Sequence, residues 1–305
     1  MKKKTVLIFL FILICSFCFC SGVNEGELRV IYLDVGQGDA TLINQGGHWM
    51  LIDCGDDNLK ASRAISKAIS DYGITSFDAI IISHNDSDHI GGLAKVLETV
   101  STVKKLYLSN DPRHTDKIPQ DKSLKKKYLN KGDSFQLGSA KVSCIGPIAI
   151  DNSTSSNDCS LCLRIDFGET SFLFMGDAGK EVENALIKEY EDKDDMLKCT
   201  VLKVSHHGSK ESSGYLFLQE TLLDNNKSTY AILSVGENNK YNHPSPNAIS
   251  LFRDLRRVDP LFRFFRTDMQ GTITVVSDGT NISISAERNR DSADVFREAS
   301  QPNEI

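Results

Sequence analysis

The spacing of apolar residues divides the chain into short strands and amphipathic helices. Apolar or alternating segments typical of strands lie at residues 28–33, 40–43, 49–52, 77–82, 105–108, 141–145, 160–165, 171–175, 200–204, 230–235, 272–276 and 282–286. Helical patterns lie at residues 59–72, 92–100, 180–190, 213–223 and 246–255. The strands form two clusters, each accompanied by helices. This predicts an α/β (α+β) fold with two sheets face to face and helices outside, a four-layer αββα sandwich.

The first residues depart from this pattern. Lysines at positions 2–4 precede an apolar run of about sixteen residues, which is shorter than the roughly 20 needed to span a membrane and is typical of a secretory signal. We expect residues 1–22 to be a signal peptide or, alternatively, an N-terminal membrane anchor, with lipid modification left open at Cys15, Cys18 and Cys20. Residues 26–290 are expected to form one domain and 291–305 a polar tail. The protein is therefore expected to be exported and to lie outside a membrane or anchored to its outer side.

A polar stretch after the predicted strand at 77–82 concentrates metal-binding side chains. His84, Asp86, Asp88 and His89 fall within six residues, followed by two glycines and a helical pattern. A strand ending in a tight loop can direct alternate side chains at one point, so the first pair can meet one cation while the second pair turns towards a neighbour. A solvated acidic loop is the competing interpretation. Since loops between strands and helices often carry ligands, the cluster predicts a metal site.

Two later polar sites also follow predicted strands. Asp177 ends an apolar strand, where a carboxylate loses hydration, and bridging two cations would offset that loss. His206 and His207 stand at the end of another strand. Adjacent side chains diverge there, so one can bind metal while the other faces the substrate or orients a ligand. The spacing leaves open which histidine does which.

These motifs together resemble a known enzyme superfamily. The stretch His84 to His89 resembles the His-x-His-x-Asp-His ligand loop of the metallo-β-lactamase superfamily, with Asp86 in place of the second histidine. Residues 34–39, Asp-Val-Gly-Gln-Gly-Asp, resemble a hallmark of the branch that contains the extracellular hydrolase domain of the ComEC family of competence proteins. The resemblance covers residues 28–286, with motifs in the superfamily's order. It implies the metallo-β-lactamase fold for the domain at 26–290 and a hydrolase with two divalent ions, Zn²⁺ or Mn²⁺.

The resemblance also implies which side chains hold the two ions. One ion would be held by His84, Asp86 and Asp177. The other would be held by Asp88, His89, Asp177 and one of His206 and His207. Three residues are candidates for direct roles in the reaction: Asp88, His207 and His243. His243 matches the branch's final motif, and either it or the second member of the histidine pair would donate to the leaving oxygen. An ordinary loop position is the alternative for His243.

Other polar residues are expected to support the ligands. Asp53 matches the aspartate that steadies the metal loop by accepting hydrogen bonds. Asp34 and Asp39 belong to the hallmark motif, and turn formation at a strand end is the alternative for both.

The superfamily usually supplies one more histidine ligand before Asp177. The only histidine in that interval is His114, in a predicted surface turn. The suspected branch carries an asparagine and a serine instead, which Asn157 and Ser160 match, while Asp158 is a competing ligand. A ligand set poorer in nitrogen suits Mn²⁺ as well as Zn²⁺.

Charge and cysteine content limit the function classes. The 305-residue chain has a formal net charge of −6, which disfavours a sequence-independent nucleic-acid coat. Arginines at 253–266 alternate with phenylalanines that can form a phosphate-contacting, base-stacking surface or pack in the core. Five cysteines follow the first segment, too few for a disulfide scaffold, and core packing is expected for the pair at 159 and 162.

Three functional hypotheses follow. The first is an exported two-metal phosphodiesterase or nuclease that acts on DNA, with DNA-uptake machinery as a partner. The second keeps the chemistry but takes a small ester, such as a phosphocholine substituent or a lactone, because an acidic protein gains little from a long polyanion. The third is a non-catalytic DNA-binding protein of the cell envelope.

Overall fold

The computed structural model describes residues 26–113, 117–120, 123–193, 195–224, 226–288 and 294–297. The strands in chain order are β1 Leu28–Tyr32, β2 Thr41–Gln45, β3 His48–Ile52, β4 Ser76–Phe77, β5 Ala79–Ile82, β6 Thr102–Val103, β7 Leu106–Ser109, β8 Lys126–Leu129, β9 Ser134–Leu137, β10 Ala140–Gly146, β11 Cys162–Phe167, β12 Thr170–Phe174, β13 Val201–Lys203, β14 Tyr230–Leu233, β15 Arg263–Arg266, β16 Ile273–Ser277 and β17 Ile282–Ala286. The helices are α1 Leu59–Asp71, α2 Ser87–Ile90, α3 Leu93–Thr99, α4 Lys180–Tyr190, α5 Tyr215–Leu222, α6 Pro246–Val258 and α7 Thr267–Gln270.

The two longest helices begin at residues suited to that role. The Asn58 side chain accepts a hydrogen bond from the Ala61 backbone N–H at the start of α1. The Ser245 side chain does the same for Ala248 in α6, where Pro246 occupies the first turn. Asparagine and serine satisfy otherwise unpaired N–H groups at helix starts, and proline is tolerated there because it has no N–H to lose. Each helix buries the face with apolar residues at helical spacing.

Within the described ranges, most strands belong to two sheets. The first sheet has the order β17-β16-β1-β2-β3-β5-β7-β8, and the second has β15-β14-β13-β12-β11-β10-β9. The hairpin β16–β17 pairs antiparallel with β1, so the C-terminal strands complete the sheet that the N-terminal strands begin. Strands β3, β5, β7 and β8 are mutually parallel, as are β12 to β15. The ends of parallel strands meet at one edge of each sheet, and this edge carries the polar motifs.

Three apolar clusters separate four layers. One cluster lies between the sheets and includes Val30 and Met50 of the first sheet and Leu163 and Phe172 of the second. A second packs the first sheet against α1 and α3, and a third packs the second sheet against α4, α5 and α6. Burying such side chains contributes about 1.5–3 kcal/mol each relative to exposure. The predicted αββα sandwich is therefore confirmed.

Several local predictions need correction. The predicted strand at 77–82 is two strands, because β4 pairs with β6 in a separate two-stranded sheet whereas β5 pairs with β3 and β7 in the first sheet. The strand predicted from residue 160 begins at Cys162, the first residue of β11, while Cys159 ends a 3-10 turn, Asn157–Cys159. Strands β6, β8, β9 and β15 and the short helices α2 and α7 were not predicted. All five cysteines in the described part of the chain are buried and free, consistent with core packing.

Part of the arginine-rich segment at 253–266 contributes to the packing of the second sheet. The phenylalanines at 252, 262 and 264 are buried, as the core alternative predicts, whereas the Arg257 side chain is 71% exposed. Arg266 is 1% exposed and bonds to Asp268 and to the carbonyls of Val295 and Arg297. Arg253 donates to the Phe296 carbonyl. These arginines attach residues 294–297 to the second sheet and α6.

Candidate metal centre

Five strands deliver the polar motifs to one edge of the sandwich. In the first sheet, Asp53 follows β3 and His84 follows β5; in the second, Asp177 follows β12, His207 follows β13 and Ser234 follows β14. The backbone N–H of Leu161 donates to the carbonyl of Ser83 at 2.9 Å and joins the two sheets at this point. Side chains from distant parts of the sequence therefore converge between the sheets.

Asp53 holds residues 83–89, which we call the metal loop, through hydrogen bonds. Its carboxylate accepts hydrogen bonds from the backbone N–H and hydroxyl of Ser83, both at 2.7 Å, and from His89 Nδ1 at 2.8 Å. Asp88 and His89 lie in the short helix α2 rather than in an open loop. The bond from His89 Nδ1 leaves Nε2 directed at the centre, because Asp53 fixes the ring orientation.

The hallmark motif at 34–39 packs directly on this helix. Gly38 has a φ of +128°, and a Cβ there would lie 2.4 Å from the Asp88 carbonyl oxygen. The next residue, Asp39, donates its N–H to that same carbonyl at 3.0 Å. Only glycine allows this approach, so the motif's second glycine is explained by contact with the metal loop.

Five of the seven predicted ligands form close clusters. In the described ranges, groups of three ligand atoms within 4.8 Å of one another include His84, Asp88, His89, Asp177 and His207, and further groups bring in Asp39 and Asp53. Asp86 and His206 enter no such group. Asp86 Oδ2 lies 3.8 Å from His84 Nε2, and His206 Nε2 lies 3.8 Å from Asp177 Oδ2. Metal binding by all seven stays a prediction.

The inner half-site comprises Asp88, His89, His207 and the shared Asp177. His207 Nε2 lies 3.3 Å from His89 Nε2, 3.3 Å from Asp88 Oδ2 and 3.5 Å from Asp177 Oδ2. Its Nδ1 donates to the Ser234 carbonyl at 3.0 Å. The geometry thus places His207, rather than His206, beside Asp88 and His89.

The predicted outer half-site consists of His84, Asp86 and the shared Asp177. His84 is fully buried, but the Asp86 side chain is 44% exposed. His84 Nδ1 lies 3.1 Å from the Ser83 hydroxyl and 3.3 Å from the Ser160 hydroxyl. The Ser160 hydroxyl also accepts the Asp177 N–H at 3.0 Å. Ser160 therefore touches two predicted ligands, while no carboxylate of the described residues bonds to Nδ1 of His84.

The histidine pair occupies a strained turn. His206 and His207 have φ of +48° and +50°, and Gly208 continues with +76°. Left-handed backbone costs non-glycine residues about 1–3 kcal/mol each and persists where surrounding contacts enforce it. Here the His206 N–H donates to the Gly176 carbonyl at 3.0 Å. The turn separates the two rings so that only His207 reaches the inner half-site.

A buried ion pair behind His207 was missed from the sequence. Lys203 Nζ donates to Asp39 Oδ2 at 2.6 Å, and both side chains are at most 6% exposed. Asp39 Oδ1 lies 3.4 Å from His207 Nδ1. A lysine inside an apolar strand is rarely buried without a partner, so its position in β13 was the available signal. The pair supports the inner half-site.

The remaining predicted residues lie around or outside the clusters. Asn157 Nδ2 is 3.4 Å from His206 Nε2. Asp158, the competing candidate ligand, accepts hydrogen bonds from the Ser155 hydroxyl at 2.7 Å and the Gly179 N–H at 2.9 Å. Both of its carboxylate oxygens therefore already have partners. Asp34 accepts the Gly36 N–H and pairs with Lys60 at 2.6 Å, which matches turn formation away from the centre. His114 lies outside the described residues.

His243 borders the centre on the side of the histidine pair. Its ring centroid is 5.5 Å from that of His206 and 6.5 Å from that of His207. Burial, with His207 and His206 nearby, lowers the pKa of His243 to about 4, so the ring is neutral at neutral pH. A cleft of about 420 Å³, lined in part by Asn157, Asp177 and His206, adjoins the same edge.

The donor set fits divalent cations. Among the described residues, His84 Nε2 and Asp177 Oδ1 are buried and find no hydrogen-bond partner, although Asp177 Oδ1 lies 3.2 Å from His89 Nε2. Buried polar atoms without partners are costly, and a cation would satisfy both. Burial favours a lower pKa for His89, but Asp177 and Asp53 raise it well above its usual value. The carboxylates of this cluster therefore stabilise positive charge beside them.

Comparisons with known proteins agree with this geometry. The metallo-beta-lactamase superfamily domain matches residues 33–227, and the chain belongs to this superfamily. Proteins of this fold generally bind divalent metal ions, and the superfamily includes metal-dependent hydrolases. The predicted family is confirmed.

Three individual proteins illustrate the similarity. The chain is 31% identical to ComE operon protein 3 of Bacillus subtilis over 88% of this chain and 34% of that protein. It is 26% identical to competence protein ComA of Neisseria gonorrhoeae over 82% of this chain and 32% of that protein. The chain thus spans about a third of the length of these relatives. Igni18, a metallo hydrolase from Ignicoccus hospitalis, shares the fold with 13% identity and a TM-score of 0.51, covering 81% of this chain and 98% of that one.

Among the helices of the described ranges, none is long and apolar enough to cross a membrane.

Proposed function

We propose that this chain is an exported two-metal phosphodiesterase that cleaves DNA outside the cytoplasmic membrane. The observation that carries the proposal is the convergence of two half-sites on one buried carboxylate, Asp177. A pair of cations that share a ligand is the usual arrangement for displacement at phosphorus. Similarity to competence protein ComA and ComE operon protein 3 supports DNA as the substrate and DNA-uptake machinery as the setting.

The chain's own residues have distinct tasks in this reaction. The outer half-site would hold one Zn²⁺ or Mn²⁺ ion and the inner half-site the other. Two such ions, when bound, activate water as a nucleophile and neutralise charge on the phosphate oxygens. Asp53 and the Ser234 carbonyl keep the Nε2 atoms of His89 and His207 directed inward. The neutral ring of His243 borders this point and can donate a hydrogen bond from N–H to a leaving oxygen.

Export is part of the proposal and rests on the basic and apolar residues at 1–22. These residues, including Cys15, Cys18 and Cys20, lie outside the described part of the chain. Fractionation of cells that express the full chain, with the N-terminus of the product determined by mass spectrometry, tests it. We expect recovery outside the cytoplasm, with the signal removed or retained as an anchor. Recovery of the intact chain from the cytoplasm alone would contradict export.

A small-ester hydrolase is the second candidate. It is favoured by the acidic balance of 41 Asp and Glu against 35 Lys and Arg, because phosphate contacts with a long polyanion depend on basic surface. The half-sites would act in the same way on a phosphocholine ester or a lactone.

The deciding experiment compares substrates and variants. The protein, reconstituted with Mn²⁺ or Zn²⁺, is tested on single-stranded DNA and bis(p-nitrophenyl) phosphate, beside Asp177→Asn and a surface control, His48→Ala. We expect cleavage of both substrates, arrest by chelator, and a loss in Asp177→Asn beyond the 10–100-fold typical of residues that support ligands. Metal binding without cleavage of either substrate would refute the phosphodiesterase and favour small esters or DNA binding.

A further inference from the structure

An exposed aromatic ring stands next to the candidate centre. Tyr241 is 51% exposed, and its ring packs on His243 with centroids 5.8 Å apart and an interplanar angle of 26°. His243 in turn contacts the ring of His206. One exposed tyrosine needs no explanation by itself. Its location, one side chain away from the metal centre, distinguishes it from the other exposed aromatic residues in the described ranges.

The loop that carries Tyr241 is held in a fixed shape. The Asn239 side chain donates to the carbonyls of Gly236 at 2.9 Å and His243 at 2.5 Å. It also accepts the backbone N–H groups of Tyr241 at 3.1 Å and His243 at 3.0 Å. One asparagine side chain thus makes four bonds within the loop. The ring is presented with little conformational freedom left to lose on binding, which favours affinity.

Positive side chains accompany the metal loop and the tyrosine. Lys240 Nζ lies 4.9 Å from the centroid of the Tyr241 ring. At the metal loop, Lys117 Nζ donates to the Ser87 hydroxyl at 2.8 Å, whereas the charge of Arg113 is paired with Asp111 at 2.8 Å. Two lysines therefore lie near the centre although the protein is acidic overall. Proteins that bind single strands combine cations that contact phosphates with aromatic rings on which bases stack.

We propose that Tyr241 is a stacking platform for one unpaired base of the substrate, and that Lys240, whose Nζ lies over the ring at 4.9 Å from its centroid, turns to the adjoining phosphate when the base binds. The inference rests on the phosphodiesterase proposed above and narrows its substrate to single-stranded nucleic acid. In the alternative role, Tyr241 only covers and positions His243. This role predicts that loss of Tyr241 affects every phosphodiester equally, whether or not the substrate carries a base.

The test separates base stacking from support of His243. Binding of fluorescent oligothymidylate and of an abasic strand of equal length is measured by anisotropy with metal-free, full-length protein. The variants are Tyr241→Ala, Tyr241→Phe and the control Tyr128→Ala, whose side chain is also 51% exposed but lies on β8. We expect Tyr241→Ala to weaken oligothymidylate binding about tenfold, since one base stack contributes about that much. Tyr241→Phe and Tyr128→Ala should bind like the wild type, and the abasic strand should not distinguish the variants.

Three outcomes of the binding experiment would overturn the inference. Unchanged oligothymidylate binding in Tyr241→Ala, an equal loss for both strands, or no binding of either strand by the wild type contradicts stacking. Cleavage of the same strands with Mn²⁺ is scored separately. If the wild type cleaves DNA while Tyr241→Ala binds normally, only the stacking role fails. If the tyrosine effect on binding is present but no strand is cleaved, the nuclease fails and the stacking site stands.

Discussion

The two half-sites of the candidate centre differ in how their ligands are supported. In the inner half-site, His89 is fixed by Asp53 and His207 by the Ser234 carbonyl, with the Lys203–Asp39 pair behind it. In the outer half-site, the partners of His84 Nδ1 within the described part of the chain are hydroxyl groups, and Asp86 is 44% exposed. Ligands with fixed orientation bind metal more tightly because less freedom is lost. The contrast indicates that one ion would be held firmly and the other would exchange.

The largest expected effect comes from removing one histidine of each half-site. His207→Ala and His84→Ala should both lose hydrolysis by more than about a hundredfold, since each removes a ligand rather than a supporting group. Their metal content should differ. After gel filtration, His84→Ala should retain close to one ion per chain and His207→Ala distinctly less, as measured by elemental mass spectrometry.

The control for this comparison is His48→Ala, a half-exposed histidine of β3 that pairs with Asp78. It should keep the metal content and activity of the wild type. Equal metal retention in the two ligand variants would show that the half-sites do not differ in affinity.

The ion pair behind the inner half-site gives the next largest effect. Lys203→Met leaves the Asp39 carboxylate buried without its cation, and breaking such a pair costs about 3–5 kcal/mol of unfolding free energy. Denaturant unfolding of the metal-free protein measures this cost. The double variant Lys203→Met, Asp39→Asn should recover part of it because no unpaired charge remains.

A matched surface pair provides the comparison. Lys60 also contacts a carboxylate at 2.6 Å, that of Asp34, but its side chain is 51% exposed. Lys60→Met should cost no more than about 1 kcal/mol, because solvent screens exposed pairs. A similar cost for both lysine variants would mean that burial does not matter at Lys203.

The smallest effect is expected from changing the ligand chemistry of the outer half-site. Asp86→His restores the histidine that the superfamily's loop carries, and imidazole favours Zn²⁺ where carboxylate suits Mn²⁺. Competition titrations should show the preference for Zn²⁺ over Mn²⁺ rising by about tenfold, equivalent to about 1.4 kcal/mol. An unchanged preference would indicate that Asp86 does not reach the ion.

The architecture and the main motifs could be predicted from the sequence, because apolar spacing and polar residues at strand ends report directly on burial. The prediction failed for strands whose formation depends on contacts with distant parts of the chain. Strand β8, with exposed Lys126, Lys127 and Tyr128, has no alternating pattern, since it forms an edge of the first sheet. The strand β15 was obscured because Arg266 is buried among partners that are distant in sequence.

Within the centre, the sequence predicted which types of residue are present better than it predicted how they are arranged. It left His206 and His207 undecided, because the left-handed turn that separates them depends on the contact of His206 with Gly176. Lys203 was missed because its partner, Asp39, lies 164 positions away. Tyr241 had no signal of its own, since its loop is shaped by the side chain of Asn239.

Each half-site takes ligands from both sheets. Asp88 and His89 follow the first sheet's β5, whereas Asp177 and His207 follow strands of the second. Any ion held there cross-links the two sheets at the edge where their loops meet. Because such a cross-link cannot form in the unfolded chain, ion binding would add to the free energy of unfolding in proportion to the logarithm of ion concentration above its Kd. An ion at the centre would therefore stabilise the folded protein as well as take part in the reaction. Its removal by a chelator would weaken the contact between the two sheets first at the edge where their loops meet.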